Sequence, residues 1–180
     1  MNKKIVSSVI ISLFAAVSTS AFAMTKAEYS TAKSQISADY KSAQSACGSM
    51  SGNAKDICSV DAKGAEKVAK ADLEARYSGK EKHQYNLRIA KAEAAYAVAK
   101  EKCDDKAGND KDVCVKQAKA SQTKAKADAK LTKTVSNATA DTVDTRMTAD
   151  YKVAIEKCDA LSGDQKTSCV NSAKVKFNKS

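Results

Sequence analysis

The sequence predicts an all-α protein built as three tandem antiparallel helical hairpins, about six helices in all, each hairpin closed by its own disulfide. Three observations carry this reading. Six cysteines fall into three pairs with one common spacing; proline is absent while alanine and lysine abound; and a glycine followed by an N-capping residue sits midway between the cysteines of every pair.

The chain opens on a segment built for export. Lys3 and Lys4 give a positive start, Ile5 to Val17 form an apolar run interrupted only by serines, and Ala21-Phe22-Ala23 matches a small-x-small cleavage site. The apolar run is shorter than the roughly 20 residues that span a bilayer, so residues 1–23 read as a cleaved signal peptide rather than an anchor. No integral membrane span is expected after cleavage. The expected destination is the periplasm, with secretion beyond it as the alternative. Loss of residues 1–23 removes two lysines and no acids, taking the formal charge from +10 to +8.

Beyond residue 23 the chain is short of large apolar side chains. There is no tryptophan, and Phe177 is the one phenylalanine in this part. Such a chain buries a thin core, so its stability leans on helix propensity, close helix contacts and covalent staples.

The repeat supplies the staples. Cys47 and Cys58, Cys103 and Cys114, and Cys158 and Cys169 each enclose ten residues, and equivalent cysteines lie 56 and then 55 positions apart. Tyr40, Ala43, Ala62 and Lys63 flank the first pair; Tyr96, Ala99, Ala118 and Lys119 flank the second; Tyr151, Ala154, Ala173 and Lys174 flank the third. The units are residues 24–79, 80–135 and 136–180, the third truncated. Within each unit Gly52-Asn53, Gly108-Asn109 or Gly163-Asp164 offers a glycine to end one helix and a cap to begin the next. Asp56 and Asp112, three residues further on, suit the positive end of the second helix.

The cysteines stand about five residues either side of this turn, at matching levels on two antiparallel helices. On one straight helix they would lie roughly 16 Å apart. Local bridges are therefore the simplest pairing, although six cysteines permit others. Each short loop closed this way contributes on the order of 3 kcal/mol.

Stripes at steps of three and four lead into the first cysteine of each unit: Tyr29, Ala32, Ile36, Tyr40 and Ala43; Tyr85, Ile89, Ala92, Tyr96 and Ala99; Ala140, Val143, Met147, Tyr151 and Ala154. The joints between units read as weaker than the turns within them. Ser78-Gly79 interrupts the first joint, with Ser78 and Glu81 in capping-box spacing; Thr25 and Glu28 repeat that spacing at the start of the first unit. The β-branched and polar residues 134–142 predict a second break.

No catalytic constellation emerges, and the chain reads as non-enzymatic. Ten-residue cysteine spacing lacks the short paired pattern of zinc ligands, C-x-x-C is absent, and the single histidine, His83, reads as an exposed residue near a helix start. No metal or cofactor is expected. Met24, Met50 and Met147 do not cluster, and the recurring tyrosines fit packing seams. The lysines are the functional resource: Lys63, Lys67, Lys70, Lys116, Lys119, Lys124 and Lys126, with Lys100 and Lys102, decorate helices poor in apolar surface and would attract polyanions. Interleaved acids, such as Glu66 beside Lys70, equally suit a solvated helix face.

At its Tyr-x-x-Ala-x-x-x-Cys and Gly-Asn-x-x-Asp-x-Cys elements the chain resembles small alanine- and lysine-rich exported proteins of Gram-negative bacteria, often labelled TolA-like on composition. The resemblance implies no established activity. TolA itself has a membrane anchor and a separate C-terminal domain, and neither is expected here. The hairpins also resemble the twin-cysteine hairpins of mitochondria, which carry two bridges each rather than one. The functional expectation is a non-catalytic periplasmic structural or interaction protein whose basic surface meets an envelope protein or an anionic envelope surface such as lipopolysaccharide headgroups. Export makes nucleic acid a poor partner. A small periplasmic chaperone or envelope-stress protein is the alternative, without the Leu-Thr-x-x-Gln motif of one such family.

Overall fold

A computed structural model describes residues 24–179, so the predicted signal segment lies outside the described residues. Five helices follow one another: α1 (Lys26–Cys47), α2 (Gly52–Ser78), α3 (Glu81–Cys103), α4 (Gly108–Asp159) and α5 (Gly163–Lys176), with no strand among the described residues. Thr25 starts α1 through the expected capping box: its hydroxyl accepts from the Glu28 amide at 3.2 Å while the Glu28 carboxylate accepts from the Thr25 amide at 2.7 Å.

The three disulfides are Cys47–Cys58, Cys103–Cys114 and Cys158–Cys169, with Cα separations of 5.5, 5.7 and 5.7 Å. Each joins the end of one helix to the first turns of the next. Gly52, Gly108 and Gly163 take positive φ, yet each opens a helix rather than closing one. The N-caps are Ser51, Ala107 and Ser162, each two residues upstream of the expected Asn53, Asn109 and Asp164, and none makes a side-chain cap bond.

Contacts at both ends of α1 and α2 fix their direction. The disulfide joins one end, and at the other the Tyr29 ring lies 4.5 Å from that of Tyr77 while its hydroxyl donates to Glu74. The two helices therefore run antiparallel, and α3 returns beside α2 in the same way. Each helix packs only on its neighbours in sequence, so α1 to α4 form a single layer rather than a closed bundle.

The joint between α2 and α3 holds the most extensive helix contact, reversing the expectation that joints are the weak points. Ala75, Leu87 and Ala90 are buried there, and Gly64 lies so close to Ala94 that an added Cβ would stand 2.9 Å from the alanine methyl; the fully buried Leu73 lies half a turn away on the side of α2 that faces α1. Small residues allow close backbone approach, and Leu87 supplies the largest buried apolar side chain of the seam. The Ser78–Glu81 capping box is not formed: Ser78 ends α2, Gly79 follows in the left-handed region at φ 64°, and Lys80 is the N-cap of α3.

The sixth helix is missing because the second break does not occur. α4 continues through 134–142 and spans 52 residues, about 78 Å at helical rise. Its threonines bond back along the helix, with Thr134, Thr139 and Thr142 donating to the carbonyls of Lys130, Val135 and Ala138 at 3.0, 2.9 and 2.7 Å. Polar β-branched side chains thus find partners inside the helix, and neither glycine nor proline is present to stop it. The 135/136 unit boundary falls within this helix. Residues 134–146 are exposed on every side, Ala140 and Val143 of the predicted stripe included. α5, only 14 residues long, is too short to cover them; the following Lys179 reaches back as far as Asp144 and Thr148.

Candidate functional site

Because the helices form one layer, each seam opens onto two faces. At the α2–α3 seam, Gly64 and Ala94 touch in the middle. The groove on one side is lined by Val60, Lys63, Lys67, Glu93 and Ala97. The opposite groove is lined by Asp61, Ala65, Val68, Ala95, Val98 and Lys102. Ala65 also lines the α1–α2 groove with Ile36, Tyr40 and Ala43, so this second face is predominantly small and apolar across three helices.

The first face gathers lysines. Lys67 of α2 and Lys126 of α4 both pair with Glu93 of α3, the second at 2.8 Å, which ties three helices together on one side of the layer. Helical spacing adds Lys63 and Lys70 beside Lys67, and Lys119 and Lys133 one heptad either side of Lys126. Lys119 donates to the buried Gln122 at 2.9 Å and lies 5.2 Å from the centre of the Tyr96 ring; Lys133 lies 4.9 Å from that of Tyr85. Lys70 pairs with Glu66 at 2.6 Å. Lys63, Lys116 and Lys124 are exposed and make no ion pair among the described residues.

Five of the seven predicted lysines are thus brought together: Lys63, Lys67, Lys70, Lys119 and Lys126. Lys116 sits at the outer shoulder of α4, and Lys124 projects from the side turned away from α3. Glu93, at the centre of the face, was missed in the sequence. Its carboxyl is held below the usual carboxylate range, first by the hydrogen bond from Lys126 and then by that from Lys67. The only sequence signal for it is an acid on α3 level with lysines on both neighbours, a pairing that becomes visible once the helix order is known.

His83 is half-buried rather than exposed, with Nδ1 3.7 Å from Glu74, and Glu74 also accepts the Tyr29 hydroxyl. That acceptor raises the Tyr29 pKa above its ordinary value. These three side chains come from three helices and tie the far end of the layer. Among the described residues no three His, Cys, Asp or Glu side chains converge in a metal-binding arrangement, and no helix is long and apolar enough to cross a membrane. No family model, curated protein or solved structure matches the chain.

Proposed function

We propose that this is a non-catalytic periplasmic interaction protein, three disulfide-closed hairpins displaying a basic helical face to an anionic envelope surface. The observation that carries this reading is the segregation of Lys63, Lys67, Lys70, Lys119 and Lys126 on one side of a single helical layer, with Glu93 as the acid they surround. A face of this kind attracts phosphate-bearing headgroups by charge, and it does so without a pocket. Three disulfides in so thin a core fit an oxidising compartment.

Co-sedimentation with lipid vesicles tests it. The protein should bind vesicles containing phosphatidylglycerol, ignore pure phosphatidylcholine, and release as salt rises. Reversing Lys63, Lys70 and Lys119 to glutamate should weaken binding by on the order of a hundredfold, at about 1 kcal/mol per basic contact. Unchanged binding by the triple variant would overturn the reading. The apolar opposite face, with Ile36, Tyr40, Val68 and Val98, favours the chaperone alternative. That alternative is supported if stoichiometric protein suppresses client aggregation and Val68→Asp abolishes the effect.

A further inference from the structure

The side of α4 turned away from α3 carries an apolar stripe that α5 touches only at its edge, beside Val153. Val113, Leu131, Val135 and Val153 are 42, 63, 55 and 55% exposed, and Ala120, Ala127, Ala138, Thr142 and Ala149 join them on one side of the helix at steps of three, four and seven, with Lys124 among them. The buried Ala118, Gln122 and Ala129 face α3 about half a turn away. The outer edge of α1, by contrast, is lined by small and polar residues such as Thr31, Ala38 and Ser42.

The internal repeat identifies what covers this stripe. Counting 56 positions on from α2 and 55 on from α3, the spacing of the cysteines, maps the α2–α3 seam onto α4 alone. The touching pair Gly64 and Ala94 becomes Ala120 and Ala149; Ala75 and Leu87 become Leu131 and Thr142, large for small on one side and small for large on the other; Val98 becomes Val153. All of these fall on the exposed stripe. In the first joint the two halves of this seam fold against each other through Gly79. In the second, Val135 stands where Gly79 would be, the helix runs straight on, and the two halves point away from each other along one axis.

We infer that a second copy of the chain completes the seam, in an antiparallel dimer of α4 helices centred near residue 136. Residues 113–134 of each copy then pack on residues 138–158 of the other, repeating the α2–α3 contact between chains. The charges agree with this direction. Residues 113–134 hold six lysines and one aspartate, whereas 138–158 hold four acids and three bases. An antiparallel pair sets the basic half against the acidic one; a parallel pair would set the basic halves against each other. α3 lies on the opposite side of α4, and α5 lies on its flank, where Val153 at the edge of the stripe shares a groove with Ala173 and Phe177, so the rest of the stripe is open to the approach. The result is a two-fold symmetric layer with the bare segment 134–146 inside it.

Analytical ultracentrifugation of the purified, oxidised protein should show a dimer. Lysine-directed cross-linking should join Lys124 to Lys152 in the dimer band; within one straight helix these residues are about 42 Å apart, beyond the reach of common reagents. Ala149→Glu, at an exposed position, should give monomer with unchanged helicity at concentrations where the parent is dimeric. Replacing residues 134–137 with the segment 78–82 restores a glycine joint and should also give monomer, now folded back on itself. A monomeric parent, a dimer indifferent to Ala149→Glu, or a dimer lacking the Lys124–Lys152 link would each overturn the inference.

Discussion

The two joints of this chain share one repeat pattern and behave oppositely. After Cys58 the helix stops at Gly79, whose φ of 64° suits glycine, and α3 returns to bury Ala75, Leu87 and Ala90. After Cys114 the same count of residues reaches Val135, which has no access to that conformation at low cost, and the helix continues. One side chain at a turn thus separates a packed seam from a bare rod. Composition near the turn is a poorer guide: residues 134–142 look like a break, yet their hydroxyls bond to their own helix.

The largest effect should come from the packed joint. Leu87→Ala removes the buried leucine of that joint and is expected to cost about 3 kcal/mol, read as a fall in the urea midpoint with unchanged slope. The equivalent position in the second joint is Thr142, which is exposed. Gly79→Val should cost about 2 kcal/mol by forcing a β-branched residue into the left-handed region or breaking the turn. The reciprocal change, Val135→Gly, places glycine inside a helix and should cost under about 1 kcal/mol. If the two changes cost the same, the turn is not what separates the joints. Hydrogen exchange on the monomeric Ala149→Glu protein gives a finer view: amides of 137–146 should exchange well ahead of those of 87–96, since within one chain the first stretch is exposed all round and rich in weak helix formers. Equal protection would mean that the bare stretch is covered by the chain itself.

Much of the architecture was legible because cysteine spacing, small-residue stripes and the absence of proline all constrain the same helices. The disulfide partners and the capping box at Thr25 and Glu28 follow from local spacing alone. The long α4 was not legible, because threonine counts as a helix breaker when its hydroxyl is imagined facing water, and here the hydroxyl is satisfied by the preceding turn. The strength of the α2–α3 seam was likewise hidden. Gly64 reads as a flaw in a helix until Ala94 is placed against it. The lysine face was half legible: the residues stood out by type, but which of them share a side depends on the order and direction of four helices.

The smallest expected effect concerns Glu93, and it sharpens the same comparison. Glu93 joins α2 and α4 through Lys67 and Lys126; in the second joint Thr123 and Thr148 stand at the positions of Lys67 and Glu93, so no such tie is available there. Because its pKa is lowered in the folded protein, its contribution is present above the unfolded value of about 4.3 and disappears as pH falls through the folded value. The pair is partly solvated, with Glu93 31% exposed and Lys67 58%, so solvent screening holds the effect to about 0.5–1 kcal/mol. Glu93→Gln should therefore be less stable than the parent by that amount at neutral pH, with the difference closing in acid below about pH 4. Urea titrations of both proteins at neutral and acid pH measure it. A difference that persists undiminished in acid would assign the loss to packing around residue 93 and remove charge from the account of how the basic face is held flat.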